Sequence, residues 1–204
     1  MIETLLSFAF ATSILAISPG PDNIFVLTQS IVNGKKYGLA TVVGLISGCL
    51  IHTTLLAFGV SAIIKESENL FTVIKIFGAI YLLYLAYKVY KSDASISLSE
   101  ENTPKKTTKQ LFKQGFIMNV LNPKVSIFFL AFFPGFLFSE TLSSVIQFYI
   151  LGFTFMFVSF IIFSLIAVLA GSISEKIKSN DRIGYYLKWT QIIVFILIAI
   201  FILI

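Results

Sequence analysis

The stretch Ser18-Pro19-Gly20-Pro21-Asp22-Asn23 interrupts an otherwise apolar run that extends from Ile2 to Val32. Pro19 and Pro21 remove backbone donors and clash with a preceding turn, and Gly20 allows an unusual backbone conformation and close approach, so a helix stops here. In hydrocarbon no water satisfies the freed backbone groups. Such a break is tolerated only where it is buried in protein or lines a cavity. The half-helix starting near Asp22 directs free N–H groups and the positive end of its dipole into the break.

A second interruption of the same kind, Asn122-Pro123-Lys124, lies within the apolar run from Leu111 to Phe138. Four further apolar segments run from Gly38 to Ile64, Leu70 to Tyr90, Ser144 to Gly171 and Gly184 to Ile204. The polar stretch from Ser92 to Lys109 has no apolar period and reads as a flexible linker. These segments predict an all-α polytopic membrane protein of six transmembrane helices, the first and fourth broken. The N-terminus is apolar from Ile2 and carries Glu3 in place of a basic region, so it reads as a retained first span and not as a cleaved signal.

Composition supports the membrane reading. The chain has 204 residues, 57% hydrophobic and 12% charged, with 22 Phe and a mean hydropathy of +0.93. A soluble domain is about 45–50% apolar and about 25% charged. A globule of this size leaves too much surface exposed to hide such an excess. Six spans of about 20 residues consume roughly 120 residues, which leaves loops and one connector but no soluble domain. The apolar runs are too long and unbroken for the alternating strands of an outer-membrane barrel. The single cysteine, Cys49, and single histidine, His52, exclude an internal disulfide, multi-Cys metal clusters and multi-His oxygenase or haem sites. No cofactor or bound metal is expected. The net charge of +5 comes from loop lysines, so topology accounts for it and nucleic acid is not an expected partner.

Six spans place three loops on one side and both termini on the other. The three-loop side holds Lys35, Lys36, Lys88, Lys91, the linker lysines with Lys113, and Lys176, Lys178, Arg182 and Lys188. The opposite side holds only Lys65, with Lys75 already inside the third span. The positive-inside rule makes the Lys-rich side cytoplasmic and predicts a plasma-membrane protein with both termini extracytoplasmic. Tyr84, Tyr87, Tyr90, Tyr185, Tyr186 and Trp189 fall near the same face, as an interfacial aromatic belt does.

Three spans, a linker and three more spans read as a duplication: repeat one over 1–91, linker 92–110, repeat two over 111–204. Because three is odd, the halves are inverted. Each break lies in the opening helix of its half. At 1.5 Å per residue both sit roughly 15–20 Å from the cytoplasmic surface, near the midplane. Paired Pro/Gly interruptions in inverted halves point to a transporter's binding site.

The candidate substrate-binding residues are therefore Pro19, Gly20, Pro21, Asp22, Asn23, Asn122, Pro123 and Lys124. Two half-helix N-termini converging at the midplane suit a carboxylate. Asp22 and Lys124 each follow a proline and flank a shared cavity, Asp22 meeting an ammonium or a proton and Lys124 a carboxylate. Two other readings stay open: Asp22 and Asn23 cap their half-helix, or Asp22 and Lys124 neutralise each other. Asn119 and Asn122 satisfy freed backbone or touch substrate. His52, midway in the second span, is a candidate proton relay together with Asp22, or a hydrogen-bonded bundle residue. Gly44 and Gly48 mark close helix packing. The Phe-rich runs Phe128–Phe138 and Phe153–Phe163 read as lipid-facing or core packing.

These residues resemble the LysE/RhtB family of amino-acid exporters. The resemblance rests on PGPDN at 19–23 ahead of an apolar half-helix, Asn33-Gly34 with Lys35-Lys36, and Asn122-Pro123-Lys124 ahead of a Phe-rich stretch ending at Pro134. It covers nearly the whole chain. It implies a plasma-membrane exporter of amino acids or similar small metabolites, driven by the proton gradient. Members carry either Asp or Asn at the position matching Asp22. Two alternatives are metal-cation efflux, disfavoured because intramembrane carboxylates and thiols are nearly absent, and an intramembrane enzyme, disfavoured because no activated Ser or paired Asp accompanies His52. A transporter and not an enzyme is expected, with the lipid bilayer as its surroundings. Chains this small often pair, which makes a homodimer an expected assembly.

Overall fold

A computed structural model of the chain describes residues 1–93, 106–179 and 182–203. Among the described residues it is all-helical, with no strand. Most of the expected linker, with Lys105, lies outside them, as do the side chains of Lys65 and Lys178.

The first apolar run is two helices, α1 (Ile2–Ile17) and α2 (Pro21–Asn33), bent by 61° at the break. Gly34, at φ 97°, closes α2 and admits the turn into α3 (Lys35–Leu55). This positive φ is where glycine is needed. Gly20 is extended, with φ −167°, so its backbone is ordinary and only the close approach expected of it remains. The α3 span continues through a π turn (Leu56–Val60) into α4 (Ser61–Glu66). It is followed by α5 (Glu68–Lys91), whose N-cap Ser67 accepts from Leu70 N–H.

Within the last residues of the expected linker, Thr107 and Gln110 form a reciprocal capping box at the start of α6 (Thr108–Val120). A bend of 50° separates it from α7 (Pro123–Phe132), which ends in a 3-10 turn (Phe133–Phe136). Then come α8 (Ser144–Val168), α9 (Ala170–Ser179) and α10 (Arg182–Leu203). Among the described residues four helices are long and apolar enough to cross a membrane, and the two bent pairs raise the number to as many as six. The short α9 was expected as loop. Ile173 and Ile177, one turn apart, line an apolar groove with α2 and α8, so its apolar stripe is too narrow for a span but wide enough to dock.

The centre of the bundle is α3, which packs against α2, α6 and α8. Small residues set this contact. A Cβ on Gly44 would strike the Phe112 carbonyl, and one on Gly115 the Thr41 carbonyl, so the expected packing role of Gly44 and Gly48 holds. The pair α5 and α10 lies to one side and meets the rest largely through α7. At one end of that pair Trp189 packs on Tyr90 and Tyr185, and Lys188 donates to the Ser92 carbonyl at 2.7 Å.

The phenylalanines divide between the two expected environments. Phe128, Phe129, Phe132 and Phe133 are buried and stack along α7, with centroids 4.5 Å apart for Phe128–Phe132 and 4.2 Å for Phe129–Phe133. Phe153, Phe157 and Phe160 face outward from α8, where lipid is the solvent. The stack packs α7 behind the second break.

Candidate functional site

The two breaks meet. Asn122, at the start of α7, donates from Nδ2 to Asp22 Oδ2 at 3.1 Å, joining positions a hundred residues apart in sequence. Its Oδ1 simultaneously accepts from the Lys124 backbone N–H at 3.0 Å and caps α7. One amide thus spans both helix starts.

Each break also frees a carbonyl. In a continuous helix Gly20 N–H would donate to Ala16, but the chain is turned away there. Asn23 Nδ2 takes its place at 2.7 Å. At the second break Pro123 has no N–H to offer the Asn119 carbonyl. That oxygen accepts instead from Asn122 N–H at 3.0 Å and from His52 Nε2 at 3.1 Å. A carbonyl only accepts, so His52 carries its proton on Nε2 in this bond.

These placements revise two expectations. Asp22 and Asn23 do not cap α2, which begins with no side-chain cap at all. Asn23 points back to α1, and Asp22 points across to Asn122. Nor do both helix starts offer open donors. Asn122 occupies the first free amide of α7, while the amides of Asp22 and Asn23 keep their opening toward the break. The asymmetry comes from a single position: the residue before Pro123 is a good N-cap, and the residue before Pro21 is glycine.

Lys124 supplies the positive charge on the second side. Its Nζ lies 3.4 Å from where a Cβ on Gly20 would be, beside the uncapped start of α2. It also sits 5.1 Å from the centroid of the Phe195 ring, on α10. Asp22 takes its side-chain bond from Asn122 and not from Lys124. The arrangement is therefore a charged pair around a space, with an amide between them, and not a closed ion pair.

That space is a cavity of ≈ 40 Å³, room for a water-sized group or two and not for an amino acid. Gly20, Pro21, Asp22, Asn23, Asn122 and Lys124 all line it. Asn119, Cys49, Ile46, Phe155, Ser159 and Phe163 form much of the remaining wall. Asp22 is 8% exposed and Asn119 3%, which marks both as costly groups to hold in a membrane interior. Pro19 instead borders the apolar groove beside α9, Pro123 is exposed, and His52 reaches the site only through Asn119. Cys49 Sγ lies 3.7 Å from Asn119 Oδ1, and Gly48 leaves room for that side chain. Among the described residues no three His, Cys, Asp or Glu side chains gather where a metal ion could sit.

Sequence reasoning did not find Phe195, Phe155 or Ser159. Each lies inside an apolar helix, without a proline, glycine or charge to distinguish it. Only the packing of α8 and α10 against the breaks singles them out.

Comparisons with known proteins point to one family. The LysE type translocator family matches over residues 13–204. The chain is 31% identical over 144 residues to YrhP, an uncharacterized membrane protein of Bacillus subtilis (strain 168), covering 67% of this chain and 69% of that one. It is 30% identical over 180 residues to the homoserine/homoserine lactone efflux protein of Salmonella typhimurium, covering 88% and 86% respectively. No solved structure matches.

Proposed function

We propose that this chain, which belongs to the LysE type translocator family, exports amino acids or closely related small metabolites across the plasma membrane by alternating access. The observation that carries the reading is the Asn122–Asp22 bond, because it draws two helix breaks and Lys124 around one cavity. In the binding step the substrate carboxylate lies between Lys124 Nζ and the open amides of α2, where a helix N-terminus and an ammonium add. The substrate ammonium lies against Asp22 and Asn122. The similarity to a homoserine/homoserine lactone efflux protein supports small polar cargo.

The present cavity is too small for that cargo, so it corresponds to a closed stage of the cycle. Opening separates the breaks on one side or the other. In this reading the halves 1–91 and 111–204 are inverted repeats about the cavity, with both termini outside and the linker in the cytoplasm. Coupling to protons runs through Asp22, the titratable carboxylate of the cavity, with His52 behind Asn119 as the relay to the second break.

The test is a comparison of culture medium from cells with and without the protein, each loaded with dipeptides to raise internal amino-acid pools. The expected result is selective accumulation of one or a few amino acids outside cells that carry it. Parallel challenge with metal salts separates the alternative. Tolerance to a metal with no change in external amino acids would replace amino-acid export by cation efflux.

A further inference from the structure

In the described helices, hydroxyl side chains commonly return to the carbonyl four residues earlier, a bond that hides a polar group within an apolar helix. Ser30, Thr41 and Thr53 do so at 2.7, 3.1 and 2.8 Å. Thr154 does so on α8 itself, at 2.9 Å. Ser159, five residues further along α8, does not. Its Oγ is buried, the residue only 2% exposed, and has no hydrogen-bond partner among the described residues. An unpaired buried hydroxyl is costly and calls for an explanation.

Among the described residues four other buried hydroxyls share that state, those of Thr12, Ser18, Ser61 and Ser164. Ser159 alone among these five lines the cavity between the breaks. Its neighbours one turn away on either side, Phe155 and Phe163, line the same cavity. The i, i+4 spacing puts all three on one face of α8. This face is apolar except for the one free hydroxyl. Lys124 and Asp22 supply the charges at the breaks beside the neutral Asn122 amide, and Ser159 is the neutral hydrogen-bonding group of the α8 wall.

We infer that Ser159 is a specificity residue that hydrogen-bonds a neutral polar group, a hydroxyl above all, on the side chain of the exported amino acid. The inference rests on the exporter reading given above. Phe155 and Phe163 cover the methylenes of such a side chain, and Ser159 donates to or accepts from its terminal oxygen. A wall built this way discriminates by what it leaves unpaired. A substrate of equal volume ending in a methyl group strands the serine hydroxyl, whereas the hydroxyl substrate satisfies both partners. Pockets that bond a substrate hydroxyl reject the analogue lacking it far more strongly than apolar pockets reject an added one.

The experiment uses the full chain in proteoliposomes and compares homoserine with norvaline, in which a methyl replaces the hydroxyl. Transport rates are measured across a concentration series for the wild type, Ser159→Ala and Ser159→Thr. The expected wild-type result is preference for homoserine. Ser159→Ala should lower kcat/KM for homoserine about 10-fold or more, leave norvaline unchanged or raise it, and so collapse the ratio. Ser159→Thr keeps a hydroxyl and should retain the preference. An equal loss for both substrates in Ser159→Ala, or an unchanged ratio, overturns the specificity role while leaving the exporter reading intact. A wild type that carries neither compound, nor any other amino acid, overturns the exporter reading and this inference with it.

Discussion

At the first break the freed carbonyl of Ala16 is bonded by Asn23, a residue of the same broken helix, and the N–H groups of α2 have no cap. At the second, the freed carbonyl of Asn119 takes a bond from His52 on a different helix, and α7 is capped by Asn122. The first break thus settles its acceptors locally and leaves its donors open. The second adds an imported donor to the local Asn122 N–H on its acceptor, and closes the first of its own free amides. Two prolines in similar sequence settings therefore give unlike electrostatics. The first side offers amides that attract an anion together with a carboxylate. The second offers an ammonium on a shut helix start. Matching position in two halves does not mean matching chemistry, and the cavity is polar in a directed way because of that difference.

Removing the charge that only the second break supplies has the largest expected effect. Lys124→Met keeps most of the stem against Phe195 and deletes the ammonium. Without the ammonium the bound substrate carboxylate loses its charged partner, which costs about 2–5 kcal/mol, so export rate per molecule should fall on the order of 100-fold. Initial rates from preloaded vesicles, normalised to inserted protein, measure this. A rate within twofold of wild type would make the two breaks equivalent for the substrate and remove the directed reading of the cavity.

Severing the bridge between the breaks comes next. Asn122→Asp retains an N-cap for α7, because aspartate is as good a cap as asparagine. It loses the Nδ2 donor to Asp22 and sets two carboxylates about 3 Å apart. Export should fall about 10-fold, with thermal stability of the purified protein lowered by about 1–2 kcal/mol. Asn122→Ser, a cap without the charge or the reach, should fall between. If Asn122→Asp exports normally, the closed contact between the breaks is not part of the cycle.

The difference between the breaks also explains what could be read from the sequence. The breaks themselves were legible, since Pro19, Gly20, Pro21 and Pro123 advertise lost donors to any reader of helix chemistry. That Asp22, Asn122 and Lys124 share a cavity followed from placing both interruptions at one depth. The role of Asn122 was harder, because the same amide serves as cap and as bridge, and only the distance from Asp22 distinguishes these uses. The capping reading of Asp22 failed for a physical reason: a residue directly after a proline can turn its carboxylate across the break when another helix offers a donor. Ser159 and Phe195 were illegible altogether. In a helix that is apolar on every side, periodicity does not tell which face meets lipid and which meets the breaks, so their positions exist only in the packed bundle.

The smallest expected effect concerns the imported donor, and it separates two roles for His52. If the side chain only holds the carbonyl that Pro123 orphans, any donor of similar reach serves. His52→Gln should then export within about twofold of wild type, and His52→Ala, which leaves a buried carbonyl one bond short, should lose about fivefold, matching a cost of roughly 1 kcal/mol. If His52 also relays protons, glutamine cannot replace it, because an amide does not titrate near neutral pH. Rates measured with and without an imposed pH gradient decide between them. A relay makes His52→Gln lose the gradient-driven part while downhill efflux continues. A pin leaves the ratio of driven to downhill rates unchanged in His52→Gln and lowers both rates together in His52→Ala. Asn23→Ala serves as the control from the first break. It removes the side-chain donor to the Ala16 carbonyl but deletes no titratable group, so it should lower both rates and leave their ratio alone. A ratio that changes in His52→Gln but not in Asn23→Ala would place proton transfer at the second break alone, which extends the asymmetry from binding to coupling.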